Sequence, residues 1–232
     1  MLDTILTVVL IVVVPGYVFL RDHLAKGKPP LALKVRYGLG LAMTLALMTL
    51  CALTWGLGGR SLATLGLDVP PSIRGWIGLA IAACLLGAFA FLALSGKVRP
   101  PSGESDAASA LMPKTPSERR LAIVFFIGLG VSWEVLYRGY LLWALTPHIG
   151  LIGAIVVAAL AYGLAHGFKG WRQLGASLVV ALVFTIAYAV AGSLWWLMII
   201  HAGLPLVALL AARPGADDAP PTTLSTEAPH PA

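Results

Sequence analysis

Apolar residues in this chain come in long unbroken runs, neither alternating every second position nor marking one stripe of a helix. The stretch from Leu79 to Leu86 is apolar on every side. Runs of about 20 such residues are helices that cross a bilayer, because each backbone group there needs a partner inside its own segment. Seven segments qualify, over residues 2–20, 37–58, 75–95, 119–146, 149–166, 173–190 and 193–212. The weak two-residue alternation of a membrane barrel is missing, so the expected fold is all-α, a polytopic transmembrane helix bundle.

Polar punctuation divides the runs. Between residues 96 and 117 stand Pro100, Pro101, Ser102, Gly103, Pro113 and Pro116 among scattered charges, a composition that breaks helices. The expected organisation is therefore a three-helix part over 1–95, a Pro-rich cytoplasmic linker over 96–117, a four-helix core over 118–212 and a disordered cytoplasmic tail over 213–232. No internal repeat relates the two helical parts, which argues against an inverted-repeat transporter.

Lys and Arg accumulate in cytoplasmic loops. With the amino terminus outside, the inner loops hold thirteen of them: Arg21, Lys26, Lys28, Lys34, Arg36, Lys97, Arg99, Lys114, Arg119, Arg120, Lys169, Arg172 and Arg213. The outer loops hold Arg60 and Arg74 alone. A missed span would mix the two sets, so this asymmetry supports both the count and a cytoplasmic carboxyl terminus.

Composition agrees. The chain is 59% hydrophobic and 11% charged, against about 25% charged in soluble proteins. Its net charge of +6 lies in short loops flanking spans, where it sets topology and meets anionic lipid, so membrane lipid is an expected partner and nucleic acid is not. The first segment has no basic n-region and no small-residue cleavage site, and is expected to stay as an anchor. Cys51 and Cys84 lie on different spans without ligand spacing and are expected to pack as small apolar residues. High Ala, Leu and Gly content points to a bacterial cytoplasmic (inner) membrane.

Four ionisable residues fall inside the core's apolar runs: Glu134, Arg138, His166 and His201. A charge at the bilayer centre costs about 3 kcal/mol on insertion scales, so such groups face a protein interior and mark function. Glu134 and Arg138 are four apart on one helix face and can neutralise each other. Two histidines and a glutamate on three helices can position and activate a water, or suit a divalent metal such as zinc.

The order Glu134-x-x-x-Arg138-Gly139, Tyr162-x-x-x-His166 and then His201 in the last long span resembles the CPBP family of intramembrane proteases, which includes the type II CAAX prenyl endopeptidases and bacteriocin-processing relatives. The lead-in from Met112 to Arg120 resembles that family's approach to its first motif. The resemblance covers residues 112–206. It implies an intramembrane endopeptidase acting on membrane-associated peptides or proteins through Glu134, His166 and His201, with Arg138 and Tyr162 in support.

Three positions depart from the family's usual motifs. Trp133 stands where a first Glu is usual, Tyr162 where Phe is, and Pro205 where Asn or Asp follows the last His. Pro205 has no side-chain donor for an oxyanion site, and Trp133 no acid for a base. A catalytically silent relative that binds a peptide or partner helix is therefore the alternative, and a small proton-coupled carrier the third reading.

Geometry adds one expectation. As a straight helix, residues 117–145 would be roughly 43 Å long and would carry Glu134 far from the inner level at which His166 ends its span. A break at Gly128 to Gly130 would bring the two together.

Overall fold

The computed structural model describes residues 1–25, 29–96, 111–167 and 170–211, and no strand occurs among them. The tail over 213–232 and the linker between 97 and 110 lie outside the described residues. So do Lys26, Lys28, Lys97, Arg99, Lys169 and Arg213.

Among the described residues each expected apolar run is helical over most of its length. We number these α1 (Leu2–Leu24), α2 (Leu33–Leu57), α3 (Ile73–Leu94), α4 (Pro116–Glu134), α5 (Leu141–Ala165), α6 (Trp171–Ala191) and α7 (Trp195–Ala211). A π-helical segment, Val135–Tyr140, joins α4 to α5, and a second, Val9–Val13, lies inside α1. Five helical stretches among the described residues are long and apolar enough to cross a membrane: α1, α2, α3, α6 and the stretch Pro116–Ala165. α7 is shorter, at 17 residues. The two expected segments over 119–146 and 149–166 thus fall in one helical stretch, divided at Gly150.

Gly150 has φ +71° and ψ 166°, a backbone region open in practice to glycine alone. The chain reverses there. Trp133 meets His166 at a ring separation of 5.5 Å, and Tyr137 meets Tyr162 at 5.5 Å, pairs placed symmetrically about residues 149 and 150. The segment from Trp133 to Tyr137 and the far half of α5 are therefore an antiparallel hairpin. Glu134 and His166, sixteen residues to either side of Gly150, are level with each other.

This corrects the expected break at Gly128 to Gly130. α4 runs through both glycines, beginning at a capping box in which Thr115 accepts from the Glu118 amide and the Glu118 carboxylate accepts from the Thr115 amide, with Pro116 in the first turn. Gly130 serves packing instead. A Cβ there would lie 2.7 Å from the Ala202 nitrogen on α7, so the bare backbone lets α4 and α7 touch one turn before Glu134 and beside His201.

The remaining helices surround this core. α3 buries only Gly75, Gly78 and Ala82, a small-residue stripe on which Trp196 of α7 rests at Gly78. Gly40 admits a close contact with Phe125, whereas Gly38 and Gly56 face open space. At one end Asp3 pairs with Arg60 at 2.6 Å, and the Arg60 guanidinium lies 4.2 Å from the Trp143 ring centre. Tyr140 donates to the Asp3 carbonyl at 2.8 Å, which ties α1 to the core. Leu45, Ile81, Leu85 and Val179 are more than half exposed, an exterior that suits lipid and not water.

The two glycines of α4 can be told apart by substitution. Gly130→Ala should cost about 1–3 kcal/mol, because its neighbour is backbone and cannot give way. Gly128→Ala meets only the flexible end of Leu41 and should stay within about 0.5 kcal/mol. Unfolding midpoints in detergent titrations measure both, and equal sensitivity would restore the hinge.

Candidate active site

Residues 132–142 are buried without interruption, so this stretch passes through the middle of the bundle and not along its surface. All six residues of its π-helical segment are buried. A π-helical turn shifts the backbone hydrogen bonds by one residue, and such turns gather at functional sites.

The turn in α1 has a legible cause and a link to the site. Val14 N–H returns to the Val9 carbonyl, so the next donor in that register would be residue 15, which is proline. The Leu10 carbonyl is left without that partner. It accepts instead from the Tyr137 hydroxyl at 3.3 Å, and the two π-helical segments are thereby joined.

Glu134 and Arg138 are both fully buried, and Arg138 Nη1 donates to Glu134 Oε1 at 2.9 Å. The same oxygen accepts from His201 Nδ1 at 2.6 Å. Because a carboxylate only accepts, Nδ1 carries the proton, and in the neutral ring Nε2 keeps its lone pair. His166 Nδ1 donates to the Tyr162 carbonyl at 2.9 Å, which fixes the same tautomer. The two imidazoles lie nearly parallel, inclined by 22° with centres 6.3 Å apart.

Tyr162 is the hub of the site. Its ring lies 3.7 Å from the Arg138 Cζ, a cation–π contact in which the guanidinium covers the ring face. Its hydroxyl stands 3.3 and 3.4 Å from the two ring nitrogens of His201. Phe could supply the first contact and not the second. All five residues singled out in the sequence therefore gather at one point.

Access differs among them. Glu134 is sealed, His201 is about 25% exposed and His166 is exposed. Beside His166 a cavity of about 480 Å3 opens between α1 and the ends of α5 and α6, lined by Pro15, Phe19, Asp22, Leu164, Gly167 and Trp171. Gly167, at φ +90°, comes so close to the Asp22 carboxylate that a Cβ would stand 2.5 Å from Oδ2. The N-terminal part thus borders the site.

Sequence reasoning missed Trp133 and Tyr137 as site residues. Their rings stack at 5.4 Å, and Trp133 also meets Tyr162 edge-on at 5.8 Å. The signal was available: aromatic residues at 133, 137 and 140 are spaced to share one side of a helix that also carries two charges. Pro205 lies within α7 one turn after His201, and without an N–H it cannot return a hydrogen bond to the His201 carbonyl.

The residues present do not form a zinc centre. Glu134 Oε1 is already shared by Arg138 and His201, and among the described residues no three His, Cys, Asp or Glu side chains stand together as a ligand set. A structural zinc site takes four ligands and a catalytic one three.

Residues 116–207 match the family model described as type II CAAX prenyl endopeptidase Rce1-like. No curated protein and no solved structure matches the chain.

Removing one member of the buried pair should cost more than removing both. Arg138→Met alone leaves an unpaired carboxylate and should cost about 3–5 kcal/mol, whereas Arg138→Met with Glu134→Gln should recover a large part of that loss. Unfolding titrations of the two variants provide the comparison, and an additive result would show that the charges do not depend on each other.

Proposed function

We propose, from the premise that this chain is a member of the CPBP family of intramembrane proteases, that it is an integral membrane endopeptidase hydrolysing peptide bonds of membrane-associated substrates. The observation that carries the reading is the pair of imidazoles, each donating through Nδ1, held beside a buried Glu–Arg pair. A peptide bond needs a base to take a proton from water and an acid to return it to the leaving amine. A neutral His Nε2 does the first, and the imidazolium it becomes does the second.

In this scheme water attacks the carbonyl carbon while its proton passes to a histidine Nε2. The C–N bond then breaks, and the same proton goes to the amine nitrogen. Glu134 is the carboxylate that orients His201 and stabilises its charged form, rather than the group that touches water. Its complete burial supports this role, and the exposure of His166 supports a role for that ring in meeting substrate. Arg138 holds the Glu134 carboxylate in place through Oε1. No step runs through a metal.

The substrate is read from the surroundings. The apolar cavity next to His166 accommodates a hydrophobic segment, and Asp22 and His23 are among its lining residues. A peptide tethered in the bilayer would rest its apolar part there. A bacterial cytoplasmic membrane, an outward amino terminus and an inward carboxyl terminus complete the proposal, and they rest on the charge asymmetry of the loops.

Turnover of a panel of fluorogenic, palmitoyl-anchored peptides by purified protein is the test. His166→Ala and His201→Ala should each lose about a hundredfold to ten-thousandfold in kcat, the usual contribution of a general base. Glu134→Gln should retain peptide binding and lose most of kcat. Binding without cleavage by the wild type would instead establish the silent relative, and full activity in Glu134→Gln would remove Glu134 from the mechanism.

A further inference from the structure

Among the described residues, four buried polar atoms without hydrogen-bond partners cluster on neighbouring residues of the site: Trp133 Nε1, Glu134 Oε2, Arg138 Nε and Arg138 Nη2. Leaving a buried donor unpaired costs about 1–3 kcal/mol, so native proteins rarely do so without reason. Three of these four atoms are donors. A guest that satisfies them must chiefly accept hydrogen bonds.

The two donor residues differ in position. Arg138 is fully buried beneath the Tyr162 ring, committed through Nη1 to Glu134. Trp133 is 6% exposed and meets His166, the exposed member of the site, edge-on. Its indole meets the rings of Tyr137, Tyr162 and His166. An unused donor beside an exposed base is what a polarised carbonyl requires.

We propose that the indole N–H of Trp133 donates a hydrogen bond to the carbonyl oxygen of the bound peptide and supports the negative charge that develops there. The inference deepens the peptidase reading and rests on it for the substrate class. It gives a purpose to the residue whose presence argued most directly against activity. Trp133 is then not a plug in the site but its neutral donor, and the histidine pair supplies the proton transfers. It also accounts for a site in which Pro205 offers no N–H or side-chain donor of its own.

The test compares wild type with Trp133→Phe, which keeps an aromatic ring against Tyr137 and deletes the N–H. Expected is a loss of about a hundredfold to a thousandfold in kcat, the usual effect of one missing oxyanion donor, with KM little changed. A second measurement does not need turnover. In protein labelled with 15N at its indoles, one resonance, identified by its absence from Trp133→Phe or from a Trp133→Tyr variant, should move on binding a palmitoyl-anchored peptide. It should stay in place with the analogue whose scissile carbonyl is reduced to methylene.

Cleavage by the wild type with no movement of that resonance and no loss in Trp133→Phe overturns the proposal and leaves the peptidase reading intact. Binding and indole movement without cleavage would support the carbonyl contact and remove the enzyme. Absence of both binding and cleavage overturns both.

Discussion

The arrangement of this bundle turns on one oxygen atom. Glu134 Oε1 receives Arg138 from its own chain segment and His201 from α7, in a region with no exposure to solvent. A carboxylate in such a place is costly unless its charge is met, and a guanidinium one turn away meets it only if the helix keeps both on one face. The third group then becomes fixed as well. His201 can reach Oε1 because α4 and α7 approach at Gly130 and Ala202, so a glycine four residues before the acid sets the distance on which the imidazole depends.

The second constraint is the return of the chain at Gly150. Reversal there puts His166 at the level of Glu134 without bending α4, and places Tyr162 between the guanidinium and His201. The rest of the molecule keeps this centre closed. Tyr137 reaches across to the Leu10 carbonyl, freed by Pro15, and Tyr140 holds the first turn of α1. What looks in sequence like an unremarkable anchor helix is therefore joined by hydrogen bonds to the central segment.

Much of this was legible in the sequence, and the reasons are physical. Lipid forbids unpaired backbone, so apolar runs announced helices; it also penalises charge, so Glu134, Arg138, His166 and His201 announced a site. Depth was harder. A helix-length estimate assumes that a span crosses the whole bilayer, and the residues from Gly150 to His166 do not need to; they stop where the site is. The glycines at 128 and 130 read equally well as a hinge or as a contact, because glycine permits both a bend and a close approach, and only the position of Ala202 decides between them.

Trp133 shows the same limit from the other side. Set against a motif, its indole is an absence, a place where an acid is missing. Set among Tyr137, Tyr162 and His166, it is a ring with a donor that no group among the described residues accepts from. A second carboxylate at that position would have brought another negative charge beside Glu134, for which Arg138 offers only the nitrogens not already engaged. A neutral N–H makes no such demand. The exchange of an acid for an indole therefore leaves the buried charges balanced, one carboxylate to one guanidinium, beside two imidazoles whose tautomers the backbone and Glu134 already hold.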